Sequence, residues 1–258
     1  MHLTAHLAGQ ETFAQTTLVR FHGPALAQRL QPGQFVLARL LPTWDPYLRV
    51  PLFPVSIGHA SWLAPLPQAH PTGARILAQA PAGTPVATWG PFGSAFPMPD
   101  RDANALIVTQ TPSLPYVLGL LQRVSDRANT VLVVENVGPA LPDTLHWLPE
   151  AVEYRVVPPA EAALEAALST LIPWTDVLYA AGPRHWARFM GRQVENVRPL
   201  LEPGWAYALV VDGITCGLGL CDTCLLDTPR GQVRACRQGP VIDLGEWFSS
   251  QARGRRAR

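Results

Sequence analysis

Four cysteines constrain this chain more than any other feature. Cys216, Cys221, Cys224 and Cys236 are spaced C-x4-C-x2-C-x11-C, and the preceding 215 residues contain no other cysteine. A disulfide framework would be spread through the chain. The first three instead match the plant-type [2Fe-2S] run, in which one loop wraps the cluster and a more distant fourth thiolate closes it. In Cys216-Gly217-Leu218-Gly219-Leu220-Cys221 the two glycines permit the backbone angles that turn amides toward sulfide and thiolate. Structural zinc is the first alternative, but its ligands more often come as two short Cys pairs, and only Cys221/Cys224 is such a pair here. Free thiols or reducible disulfides are the other.

The rest of the composition describes a folded body. Apolar residues make up 48% of 258 and charged residues 15%, which favours a buried core over a solvated polyelectrolyte. Twenty cations against 19 acids leave no electrostatic footprint for nucleic acid. Every cation is Arg, which removes lysine-based chemistry such as Schiff bases and phosphate-loop lysines. No run of eighteen apolar residues and no basic, apolar leader is present, so a cytoplasmic protein without a membrane span is expected. The seven histidines follow no metal spacing, and no hydrolase elbow or Walker sequence is visible, so no catalytic residue is assigned.

Along the chain the patterning changes twice. Residues 1–100 carry short apolar runs (Phe35–Ala38, Val55–Ile57, Ala74–Ala78) punctuated by Pro and Gly, which predicts an antiparallel β-barrel. Over 101–202, buried strands at Ala105–Val108, Thr130–Val134, Tyr154–Val157 and Val177–Ala180 alternate with apolar helical stretches, which predicts an α/β domain with a parallel sheet. Residues 203–250 form the cysteine segment and 251–258 a basic tail. The fold class is multidomain α+β.

Barrel, nucleotide-type domain and [2Fe-2S] segment, in that order, resemble the electron-transfer subunits of type B dihydroorotate dehydrogenase, a ferredoxin-reductase-like family. Pro32-Gly33-Gln34-Phe35, Gly83-Thr84, Gly90-Pro91-Phe92-Gly93, Gly182-Pro183 and Cys236-Arg237-Gln238-Gly239-Pro240-Val241 look like that family's motifs in its order. The resemblance implies an FAD-binding barrel, an NAD-binding α/β domain and a catalytic FMN-containing partner in a hetero-oligomer, two plus two, serving pyrimidine biosynthesis. It carries flavin contacts onto Pro54, Val55 and Ser56, onto Ile76, Leu77 and Ala78, and onto Gly83 and Thr84.

Three positions depart from the family. Phe53 stands where an Arg would neutralise the FAD pyrophosphate, and Arg49, about 13 Å away along an extended strand, could replace it only if the chain folds back. Thr109-Gln110-Thr111-Pro112-Ser113-Leu114-Pro115-Tyr116 replaces a glycine-rich turn that would open a helix for a cofactor, and Ala181 precedes Gly182-Pro183 where the family has Cys. These changes count against NAD binding in the usual mode. Two functions remain open: an electron relay through FAD, or a non-enzymatic iron–sulfur relay or scaffold that has lost NAD and FAD.

Overall fold

A computed structural model describes residues 2–13, 16–42, 48–68, 70–138 and 147–248. The basic tail lies outside the described residues, as does the side chain of Ser56.

Strands β1 (His2–Phe13), β2 (Thr16–His22), β3 (Phe35–Leu40), β4 (Val50–Leu52), β5 (Ser56–Ile57), β6 (Ser61–Pro65) and β7 (Pro85–Phe92) form one antiparallel sheet in the order β4-β3-β7-β1-β2-β6-β5. Its two outer strands follow each other in the chain, separated only by Phe53-Pro54-Val55, so the sheet curls until those three residues span its seam. Val55 N–H donates to Leu63 O of β6 at 2.8 Å, which extends the β5–β6 pairing into that seam. Closure of this kind shields the strand edges. A register shift between Leu7 and Gly9, where Gly9 has φ +145°, bends β1 to follow the curve. Inside, Phe21 stacks on Trp62 with centroids 4.2 Å apart.

The run Ala74–Ala78, expected as a strand, is helical. It belongs to α2 (Pro71–Gln79), after the short α1 (Pro24–Ala27). Pro71 at the helix start brings the required φ and loses no hydrogen bond, and Gly73 and Leu77 bury one face at a spacing of four. Five residues were too few to separate the two periods.

The second sheet contains β8 (Asn104–Gln110), β9 (Asn129–Glu135), β10 (Val152–Val157), β11 (Val177–Gly182), β12 (Ala206–Val210) and, beyond the hairpin β13 (Leu225–Thr228) and β14 (Gly231–Arg234), β15 (Val241–Asp243). The order is β10-β9-β8-β11-β12-β15, parallel except for the last pair. Ala105–Val108 are fully buried, as expected for a central strand covered on both faces. Helices α3 (Leu118–Ser125), α4 (Glu161–Leu171) and α5 (Arg184–Val197) make the crossovers, and the expected helix from Tyr116 begins instead as a 3₁₀ turn over Thr111–Val117.

β12 and β15 both lie within the 203–250 stretch yet pair in this central sheet. The cysteine loop is therefore an excursion that leaves β12, passes through the hairpin and α6 (Ala235–Gln238), and returns at β15 before α7 (Leu244–Phe248). Both of its ends are held by the sheet. The barrel seam meets the α/β unit at Gly119, where a Cβ would come within 2.7 Å of Val55 O, so only glycine permits that approach.

Candidate iron–sulfur loop and adjoining cavity

The cysteine loop is shaped by positive φ values at Gly217 (+68°) and Gly219 (+76°). Those turns point the N–H groups of Leu218 and Leu220 at Cys216 Sγ, both at 3.4 Å. Thr223 Oγ1 lies 3.1 Å from Cys221 Sγ and 2.9 Å from Gly213 O. Ala235 N–H donates to Cys224 O at 3.0 Å, which ties the first three cysteines to the segment carrying the fourth. Asp222, at φ +57°, is paired with Arg234 at 2.8 Å.

Among the thiols, Cys216 interacts with Cys221 and Cys224 with Cys236, and the charge of Cys216 also reaches Cys236. Burial opposes ionisation of Cys216, but the amides of Leu218, Leu220 and Cys221 and the Cys221 side chain outweigh it and hold the thiol down at about 6. Burial pushes Cys236 up to about 12, reinforced by Cys224, while the Gly219 amide works the other way. Among the described residues no three Cys, His, Asp or Glu side chains converge as ligands of one metal ion. A [2Fe-2S] cluster takes its four thiolates as pairs, two on each iron. Paired thiols with inward amides fit that cluster. Cys224 and Cys236 are buried, Cys221 is exposed, and beside it Leu220 is 78% exposed and Leu218 43%.

Immediately before Cys216, Asp212, Gly213 and Ile214 form one wall of a cavity of about 370 Å³ between barrel and α/β unit. Pro51, Tyr116 and Pro183 contribute other walls. His70, just before α2, sets its Nε2 2.9 Å from Ile214 O and so holds the cysteine loop against the barrel. The volume is that of a small-molecule site. Burial drives the Tyr116 phenol well above its ordinary pKa, so it lines the cavity as a neutral group.

The residues carried over as flavin contacts lie in the barrel, and among the described ones Pro54, Val55, Ile76, Leu77, Ala78, Gly83 and Thr84 are not in the lining of this cavity. Pro54 and Val55 are buried in the seam, Ile76, Leu77 and Ala78 are on α2, and Gly83-Thr84 is a turn bonded to Leu7 of β1. Phe53 is 3% exposed, packed 5.8 Å from Phe35 and edge-on to Tyr116 at 5.7 Å. Arg49 does not replace the missing cation. Its guanidinium lies 4.0 Å over the Trp89 ring and reaches Ala87 O at 3.4 Å, and among the described residues no Arg lines the cavity. The cavity thus suits a flavin ring, while the cation for a pyrophosphate is absent from its lining. Sequence reading had not singled out His70, Tyr116 or Asp212 for this site; the only local signal was that Asp212-Gly213 leads directly into the first cysteine.

The nicotinamide side does not fit its cofactor. In Thr111–Val117, Thr111, Ser113, Leu114, Pro115 and Val117 are buried, and Pro112 and Pro115 have no N–H to offer a phosphate. The ends of β8 and β11 are cross-linked by Thr109 Oγ1, which donates to Ala181 O at 2.9 Å.

The family described as the iron-sulfur cluster binding domain of dihydroorotate dehydrogenase B matches residues 213–247. The electron transfer subunit of dihydroorotate dehydrogenase B (NAD(+)) from Geobacillus kaustophilus (strain HTA426) is 27% identical, covering 93% of this chain and 96% of that protein. The Bacillus caldolyticus subunit matches with the same identity and coverage. Among solved structures, an NADH-dependent reduced ferredoxin-NADP oxidoreductase superposes with a TM-score of 0.75 over 94% of this chain and 90% of the other, at 17% identity. The ferredoxin reductase of carbazole 1,9a-dioxygenase gives 0.62 over 76% and 65%, at 18% identity. At these identities the structural likeness speaks for the fold. With the family match on the cysteine loop, the chain is similar along most of its length to the dihydroorotate dehydrogenase B electron-transfer subunits and has a ferredoxin-reductase-like fold.

Proposed function

We propose that this chain is an electron-transfer subunit of a larger oxidoreductase. It holds a [2Fe-2S] cluster on Cys216, Cys221, Cys224 and Cys236 and FAD at the neighbouring cavity, and relays electrons from a catalytic FMN-containing dehydrogenase to an acceptor. The relatives' names support dihydroorotate oxidation as the setting; pyrimidine biosynthesis, a two-plus-two assembly and the cytoplasm come from the family resemblance alone. The division into barrel 1–100, α/β domain 101–202 and cluster segment 203–250 belongs to the same reading. One observation carries it: a single run, Asp212 to Cys216, forms a wall of the cavity and then supplies the first cluster ligand.

A flavin can exchange one or two electrons and a cluster exchanges one, so the pair joins single-electron relay to two-electron chemistry. The chain's own groups do the rest. The amides of Leu218 and Leu220 stabilise negative charge on Cys216 sulfur. Pro51, Tyr116 and Pro183 wall the cavity, and His70 keeps its loop wall in place. Exposed Leu218 and Leu220 give the loop an apolar tip at which the partner docks.

A second reading, an iron–sulfur relay or scaffold without flavin, is favoured by Phe53 in its aromatic nest and Arg49 on Trp89. Anaerobic purification with iron, sulfide and acid-extracted flavin analysis separates the two. Iron, sulfide and FAD together support the relay. Iron and sulfide alone leave the scaffold, and zinc without iron refutes both.

A further inference from the structure

In an open parallel sheet, ligands bind outside the carboxyl ends of the strands at the point where strand order reverses. Here that point lies between β8 and β11, because the chain proceeds from β8 outward through β9 and β10 and then returns to the other side with β11 and β12. On its β9 side the crevice is filled by the protein itself, while the 370 Å³ cavity opens beside it against Pro112 and Ser113 after β8 and Pro183 after β11. Glu135, at the end of β9, accepts at Oε2 from Gln110 Nε2 and from Trp186 Nε1, each at 2.9 Å. Trp186 is 3% exposed and Glu135 7%. The indole of Trp186 lies so close over Gly182, the last residue of β11, that a Cβ there would collide with it. Thr111 Oγ1 contacts Asn136 Oδ1 at 3.1 Å and so fastens the turn to the loop after β9.

We infer that Trp186 is a specificity-determining residue that plugs the pyridine-nucleotide crevice, so that this chain binds neither NAD(H) nor NADP(H). The position of Glu135 is where an acidic side chain would receive a ribose hydroxyl. Its Oε2 already accepts two N–H groups, and Trp186 covers it. A dinucleotide would have to break the two bonds, expose a buried indole and bring its phosphates toward a carboxylate and a proline-bearing turn. The 370 Å³ cavity does not reach this cluster, since Gln110, Glu135 and Trp186 are absent from its lining. The inference rests on the relay reading and narrows its acceptor: with the ribose position at Glu135 taken by Trp186, the cluster loop and the adjoining cavity are left for electron traffic.

The test uses the purified full chain and ligand-observed saturation-transfer NMR with NADH and NADPH at about 1 mM, a concentration that reveals even weak binding. Iron, sulfide and flavin are assayed on the same samples. The expected result is no transfer to either nucleotide from the wild type and saturable transfer from Trp186→Ala, with affinity improved at least about tenfold. Should that variant not fold, Trp186→Leu keeps an apolar residue on α5 while freeing Glu135, and the same gain is expected. Nucleotide signals from the wild type that are displaced by NAD⁺ overturn the inference. So does equal silence in the wild type and a folded variant, which assigns exclusion to the turn rather than to Trp186. Loss of the relay reading registers separately, as absent iron and sulfide, and does not alter the nucleotide result.

Discussion

Gly217→Ala tests how the cysteine loop is seated. At φ +68° an L-residue in left-handed backbone costs about 1–2 kcal/mol. The added Cβ would also lie 2.7 Å from Leu37 Cδ1 and 3.4 Å from Phe35 Cε2, both on buried barrel side chains. Such overpacking costs about 1–3 kcal/mol. The sum is about 2–5 kcal/mol, slightly offset by a less flexible unfolded chain, about 0.4–1 kcal/mol. Gly83→Ala is the control, because φ is +86° but nothing lies within 4 Å of its Cβ, leaving only the backbone cost. For a chain of this size each kcal/mol moves Tm by about 2–4 °C, so with the offset applied to both, Gly217→Ala should fall by about three times as much as Gly83→Ala. Adding Leu37→Ala removes the obstructing methyls, and the double variant should lose at least about 1 kcal/mol less than the sum of the singles. Anaerobic thermal denaturation followed by circular dichroism, with visible absorbance of the cluster in parallel, measures both. Equal shifts for Gly217→Ala and Gly83→Ala, or strict additivity with Leu37→Ala, would refute the claim that the loop is wedged against the barrel.

Replacing any one of the four cysteines by Ser should abolish the visible iron–sulfur absorbance, whereas His70→Ala should keep it but loosen the loop, read as faster cluster loss to a chelator. In cluster-free protein at neutral pH, Cys216 is held at about 6 and is already thiolate, so its alkylation rate should be nearly flat above pH 7. Cys236, pushed up to about 12, should stay unmodified through pH 9, and mass mapping after iodoacetamide distinguishes the two. Phe53→Ala empties an aromatic nest and should cost about 3–5 kcal/mol in thermal or denaturant unfolding. Leu220→Asp, at a 78% exposed position, should change stability by less than about 0.5 kcal/mol yet weaken co-elution with the catalytic partner.

Much of the architecture is legible without coordinates because it depends on local periodicity. The fully apolar Ala105–Val108 and Thr130–Val134 could be read as buried parallel strands, and they are β8 and β9. Ala74–Ala78 was misread because five residues with one Arg suit either period, and the deciding feature, burial of Gly73 and Leu77 on one side, is tertiary. Tyr207–Val211 reads as a strand, but its place inside the central sheet depends on pairing with β11 and β15. The flavin positions were carried over by motif, yet the cavity is walled by residues from β4, the 3₁₀ turn and the loops after β11 and β12, which no short window brings together.

The sequence by itself picked out the candidate cluster ligands, since four sulfurs within 21 residues are within reach of one small loop and the two glycines between them allow only certain turns. It also showed that the phosphate-binding residues had changed. Only the tertiary structure decided what those changes became. Arg49 lies against Trp89, forty residues later, and Trp186 bonds Glu135, 51 residues earlier. Contacts at such separations follow from strand order and helix placement, which bring residues together according to the sheet's topology rather than their distance along the chain.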